Sequence, residues 1–209
     1  MVNSRDPERT RARILAAATA EFARYGLGGA RVDRIAARAG ANKRMLYYYF
    51  RDKDNLFLAA LEARYAHIRA AERALELEHL EPREALRRLV EFTWRYFLDH
   101  PEFLTLLNSE NLHKGRHVRR SRRVPQMHST LVETLRDILK RGEGAGVFRA
   151  GVDPVQLYIS IAGEGYFYLS NRYTLAQIFK RDLMSKSALA ARARHNREMI
   201  VNALRPVES

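Results

Sequence analysis

Residues 32–50 read V-D-R-I-A-A-R-A-G-A-N-K-R-M-L-Y-Y-Y-F, and this stretch decides the fold. Val32, Ile35 and Ala36 give a short helix one apolar face, and Gly40 supplies a residue at ease in the left-handed conformation that a tight turn needs. Asn42 then stands where the cap of a second helix belongs. At about 100° per residue, Leu46, Tyr49 and Phe50 fall on one side of that helix, and Arg44, Tyr47 and Tyr48 on the other. A helix that is apolar behind and cationic and aromatic in front suits a DNA major groove. The stretch predicts a helix-turn-helix.

Lys43 lies at the edge of the outward face and Lys53 just beyond it. Lysine ammonium and tyrosine hydroxyl groups suit phosphate oxygens, whereas an arginine such as Arg44 reaches a guanine edge with two parallel hydrogen bonds. The bland alternative is a solvated helix whose tyrosines belong to the core. Three consecutive tyrosines cannot all face inward on one helix, which weighs against it.

Working outward, Asp6-Pro7 opens a preceding helix in which Ile14, Leu15, Ala18, Phe22 and Tyr25 recur at helical spacing, and Gly26, Gly28 and Gly29 stop it. On the other side Asp52 is placed to cap a long helix carrying Leu56, Phe57, Ala60, Leu61 and Tyr65, with a period that runs to about Leu77. Residues 1–53 hold 12 Lys and Arg against 5 Asp and Glu, so about a quarter of the chain carries over half of its net charge of +13. That excess favours a polyanionic partner.

The whole chain has 209 residues, enough to bury a sizeable core, and 46% hydrophobic residues, ordinary for a folded protein. It has no cysteine, which excludes disulfides, thiolate metal sites and cysteine nucleophiles. The start, M-V-N-S-R-D-P-E-R-T-R, lacks the apolar run of a signal peptide, and no stretch reaches membrane-spanning length, so the expectation is a cytoplasmic protein with no membrane partner.

The remainder reads as further helices. Pro82 begins one that is apolar almost all round, a mark of a central position in a bundle, and His100-Pro101 breaks it before a shorter helix through Leu104, Leu107 and Leu112. Residues 114–123, K-G-R-H-V-R-R-S-R-R, hold six cations and read as a loop or an exposed helix end, open to DNA phosphates or to an anion pocket. Helices follow over about 125–140, 154–172 and 188–204, separated by the glycine-rich run 142–154, which lacks the Gly-Lys-Ser/Thr ending of a phosphate loop. The fold class is all-α, with no strand and no repeat.

Glu110, His113 and His117 share one helical face at metal-ligand spacing, with His128 further on, but the crowd of cations around them repels a metal ion; the expectation is no metal and no cofactor. Trp94, Phe97, Asn108, Asn111, Tyr166 and Asn171 are candidates to line a small-molecule cavity, against plain core packing. None of the common hydrolase, metalloprotease, nucleotide or dinucleotide motifs occurs, and Glu164, alone between two glycines, does not define a reaction, so no enzyme is expected.

The run A-G-A-N-K-R-M-L-Y-Y-Y-F-R-D-K-D-N-L-F, preceded by V-D-R-I-A-A-R and by a helix ending F-A-R-Y-G, resembles the TetR family of bacterial transcriptional regulators. The match covers about residues 8–68, with the helix-turn-helix at about 31–50, and implies a DNA-binding domain there and a helical regulatory and dimerisation domain over 69–209. The stretch H-P-E-F-L-T-L-L-N-S-E-N-L-H is similar to C-terminal domains of the RutR-like branch. The resemblance implies a homodimeric repressor that binds a palindromic double-stranded DNA operator and responds to a small-molecule inducer. It places Asn42, Lys43 and Arg44 at the start of the recognition helix, Tyr47, Tyr48 and Tyr49 in the tyrosine-rich stretch that meets the DNA backbone, and Lys53 at the lysine opening the next helix. It implies a four-helix bundle across the dimer from the last two long helices, with Gly163, Gly165 and the alanines at 188–193 permitting close approach. Two departures stand out. Ala30 and Arg31 replace the usual pair of threonines, so that Arg31 can take over a phosphate contact but not the cap, and Asn42-Lys43-Arg44-Met45 replaces the common Ser-x-Gly-Thr. The competing reading is a sequence-tolerant architectural DNA-binding protein without an inducer.

Overall fold

The computed structural model describes residues 6–206; residues 1–5, part of the stretch read above as free of an apolar leader, lie outside them. The described residues form ten α-helices, two short 3-10 turns and no strand, as the all-α reading expects. The helices are α1 Pro7–Gly29, α2 Val32–Arg38, α3 Lys43–Phe50, α4 Lys53–Arg73, α5 Pro82–Asp99, α6 Pro101–Leu112, α7 Arg123–Gly144, α8 Pro154–Ser170, α9 Arg172–Phe179 and α10 Lys186–Ala203. Among these residues no helix is long and apolar enough to cross a membrane.

The chain divides into two compact units. The first takes the residues up to His67 together with His100–Pro125. Its core joins Ile14, Ala18 and Phe22 of α1, Ile35 of α2, Leu46 and Phe50 of α3, Leu56, Phe57 and Leu61 of α4, and Leu106 of α6. The Phe22 and Phe57 rings meet edge to face at 5.2 Å, a favoured arrangement. Gly26, at φ 66° and ψ 178°, breaks the helical run of α1, and Gly40, at φ 57°, makes the turn between α2 and α3.

The sequence draws the head over residues 8–68, but the compact unit also includes 100–125. The reason is packing: Leu106 is fully buried in the same core, and Ser109 Oγ accepts a hydrogen bond from Leu27 N at 3.2 Å. The basic stretch 114–123 is not simply solvated either. His117 has 0% exposure and lies edge-on to Phe57 at 4.9 Å, while Arg116 and Arg120 reach Asp54 and Asn55 at 2.6 and 2.8 Å.

The second unit holds Ile68–Asp99 and Gln126 onward. Its core includes Leu86, Leu89, Leu135, Ile138, Phe148, Ile161 and Ile200, and α5 packs against both α8 and α10, the central place its apolar pattern predicts. Three boundaries differ from the sequence reading. The long helix α4 ends at Arg73 rather than near Leu77, where Glu76 turns left-handed at φ 51° and a 3-10 turn Leu77–His79 follows. The α7 helix is longer at both ends, and the sequence reading stops at about Arg172 and so leaves out α9, a helix of eight residues none of which is buried. Gly165 serves the chain's own packing: a Cβ there would stand 3.1 Å from the Phe97 ring.

Candidate nucleic-acid interface

α3 is held from behind and at its start. Leu46 and Phe50 are buried at 0% and 4% exposure, and Asn42 caps the helix by accepting from Met45 N at 2.8 Å. The cap fixes the Asn42 oxygen, so this residue positions the helix before it touches anything else. Lys43 and Arg44, in the first turn, are exposed, and so are Tyr47 and Tyr48, the latter at 80%. Tyr49 is half-buried against the core and edge-on to Tyr48 at 5.2 Å, which makes it a support for that ring. One face of a short helix thus presents two cations and two phenols to solvent.

Arg31 stands at the N-cap of α2 and, as its side chain dictates, gives no capping bond. Its guanidinium instead grips Asp33 through two hydrogen bonds of 3.2 and 2.9 Å, which hold the Asp33 carboxyl below the usual carboxylate range. Both partners are exposed, so a phosphate can compete for Arg31 at small cost. Lys53 opens α4, and its Nζ lies 3.5 Å from the Gly28 carbonyl, beside the turn that leads into α2. Asp52 caps α4 through Asn55 N at 2.7 Å, as predicted.

Two residues that the sequence reading missed hold the α1–α2 turn. Glu21, 2% exposed, accepts from Arg31 N at 3.1 Å and from Arg34 Nε at 2.6 Å. Arg34 also donates to the Gly29 carbonyl at 2.9 Å and covers the Tyr25 ring at 4.3 Å. The one available signal was an acid next to Phe22 on the apolar side of α1.

Comparison with known proteins agrees with this geometry. A profile described as bacterial regulatory proteins, tetR family, matches residues 14–60, and one described as Tetracyclin repressor-like, C-terminal domain, matches residues 82–200. The chain is 42% identical to the HTH-type transcriptional repressor NicS of Pseudomonas putida, over 90% of this chain and 89% of that protein. The chain belongs to the TetR family. It is also 31% identical to the transcriptional regulator RutR of Escherichia coli, over 47% of this chain and 46% of that protein, in keeping with the RutR-like resemblance. Among solved structures, a putative transcriptional regulator, SCO4942 from Streptomyces coelicolor, aligns with a TM-score of 0.69 and 25% identity over 93% of this chain and 98% of that one.

For a TetR-family chain the second question is where a small molecule can sit. The second unit contains a cavity of about 370 Å³ between the last turns of α4, the Leu77–His79 turn and α7, lined by Arg69, Glu72, Leu77, Met127, Leu131 and Thr134 among others. None of the six residues expected from sequence lines it. Trp94 and Phe97 are buried beside Gly165, and Trp94 meets Tyr168 edge to face. The Asn111 and Asn171 amides bond back to their own helices, at Leu107 and Phe167. Asn108 belongs to the first unit and is exposed, while Tyr166 is half-buried on α8. Glu164, the odd acid of the sequence, is paired with Arg192. Trp94 and Phe97 thus pack against α8, while this cavity is marked by a buried Arg–Glu pair that a periodicity search does not single out.

Proposed function

We propose that this TetR-family chain acts in the cytoplasm as a ligand-responsive homodimer that represses transcription by occupying a palindromic operator. The outward face of α3 carries the reading. Lys43, Arg44, Tyr47 and Tyr48 are exposed on a helix whose other side is locked into the core, a shape that has no use in packing and matches a major groove. Two copies would read half-sites about 34–36 Å apart or a multiple of that. A ligand that favours a different spacing of the two heads shifts the population away from DNA.

The test is selection of binding sites from random duplexes, followed by affinity for the selected and a scrambled site at fixed salt. A palindrome bound at least a thousandfold better than scrambled DNA is the expected result. A ratio near one would instead favour the sequence-tolerant architectural reading. On the selected site, Arg44→Ala is expected to relax one base position per half-site by about 1–3 kcal/mol. Lys53→Ala is expected to weaken all sites alike and lower the salt slope by about one per subunit.

A further inference from the structure

The cavity in the second unit has an unusual floor. Arg69 and Glu72, one turn apart on α4, are 3% and 7% exposed. Arg69 Nε stands 2.9 Å from Glu72 Oε2, yet its N–H is not directed at that oxygen. Arg69 Nε and Nη1 and Glu72 Oε2 all lack a hydrogen-bond partner. The guanidinium rests near the Tyr158 ring, at 5.6 Å from its centroid, and hydrogen-bonds the Tyr158 side chain, which leaves Nε and Nη1 as its free donors. A buried charged donor without an acceptor is costly, and folded proteins retain few of them unless something else completes the pairing.

The partner at hand is a poor neutraliser. Burial raises the Glu72 carboxyl to about 7, against the smaller opposing pull of Arg69 and Arg73, so near neutral pH much of it is uncharged. The floor is therefore net cationic. The walls add apolar Leu77, Met127 and Leu131, and the hydroxyl of Thr134 is taken by the Thr130 carbonyl at 3.1 Å. At the rim, exposed Arg73 is set against exposed Glu78 and Asp137, and Asp137 is occupied by Arg141 at 2.8 Å. A second negative charge on a ligand would meet Glu78 at the rim, and a bare inorganic anion would leave the apolar wall wet. The volume is at the lower end of ligand pockets, which run from about 300 to 1,000 Å³.

We infer that this cavity takes a small organic acid, one carboxylate on a compact apolar or aromatic body, with the carboxylate on the unpaired donors of Arg69 and the body against Leu77, Met127 and Leu131. The inference rests on the ligand-responsive reading proposed above and gives it a chemical class.

The experiment is calorimetric titration of the full chain, without DNA, using benzoate, benzamide and benzamidine, and in parallel butyrate and butyramide. The expected result is that at least one carboxylate binds at least about tenfold more tightly than its amide, the worth of a single charge-assisted hydrogen bond. Benzamidine is expected to be weakest. Arg69→Met should erase the preference, with helix content checked by circular dichroism, and Arg69→Lys, which keeps the charge, should retain part of it. An amide or amidine that binds as tightly as its carboxylate overturns the inference, and so does the absence of carboxylate binding at millimolar concentration. Retardation of the selected operator by ligand-free protein is read separately. Protein that retards DNA but ignores carboxylates sinks the pocket assignment alone; protein that takes carboxylates but retards no DNA sinks the repressor reading alone.

Discussion

Glu72 shows how one side chain can tie stability to pH. Its carboxyl is pushed up to about 7, first by burial, while Arg69 and Arg73 on the same helix pull it down less strongly. Glu78 from the following turn and Asp137 from α7 share its cavity and add negative charge nearby. An unfolded glutamate titrates near 4.5. Between that value and about 7 the folded chain therefore binds more protons than the unfolded one, so stability is expected to fall as pH rises through this window and to level off above it. Full ionisation amounts to at most about 3 kcal/mol, at roughly 1.4 kcal/mol per pH unit. Glu72→Gln imitates the protonated carboxyl at every pH. Urea unfolding at pH 4 and pH 8 should show the variant more stable than the parent at pH 8 and nearly equal at pH 4. The same difference at both values would mean that another group titrates.

At the level of elements, what could be read from sequence was what is local. The turn at Gly40, the Asn42 and Asp52 caps and the two faces of α3 depend on neighbours within a few residues, and each is found in the structure. The incorporation of α6 and the 114–123 segment into the first unit depends on partners far along the chain, and nothing periodic announces it. Glu110 is its hinge. It is 4% exposed, and one oxygen accepts from His117 N and Val118 N at 2.7 and 2.9 Å while the other meets His117 Nδ1 at 2.5 Å. His113 Nδ1 is meanwhile engaged by the Ser109 carbonyl at 2.7 Å. The Glu110, His113 and His117 spacing that suggested a metal is spent on these bonds, and no metal-holding cluster occurs among the described residues. Glu110→Ala would strand two backbone donors and is expected to cost about 3 kcal/mol in thermal unfolding, with Glu110→Gln costing less because it keeps an acceptor. Zinc or a chelator should leave the parent's melting temperature unchanged; a zinc-dependent rise would restore the metal reading.

At the scale of the whole molecule, α8 and α10 carry the surface that suits a partner copy. On α8, Val155, Ile159, Gly163 and Phe167 recur every four residues and make one stripe. The three side chains are 44%, 53% and 59% exposed, and a Cβ added at Gly163 would meet nothing within 4 Å. On α10, Ala191, His195 and Met199 repeat the same spacing and are likewise exposed. An apolar stripe on α8 with Gly163 inside it, beside an exposed Ala-His-Met line on α10, a helix that packs against it within the chain, suits the same two helices of a second copy. Of the two glycines expected to permit that approach, Gly165 is consumed by Phe97, so Gly163 has to bear it alone. Gly163→Leu separates the fold from the assembly. Inside one chain its Cβ meets nothing within 4 Å, and it replaces a poor helix former by a good one, a gain of about 0.8 kcal/mol. Against a second copy it forces the helices apart. Sedimentation should show monomers with undiminished helix content, and affinity for the palindrome should fall by about 100-fold or more, toward that of a half-site, because the second head no longer binds in the company of the first. A Gly163→Leu protein that remains dimeric and keeps its operator affinity would move the interface away from α8.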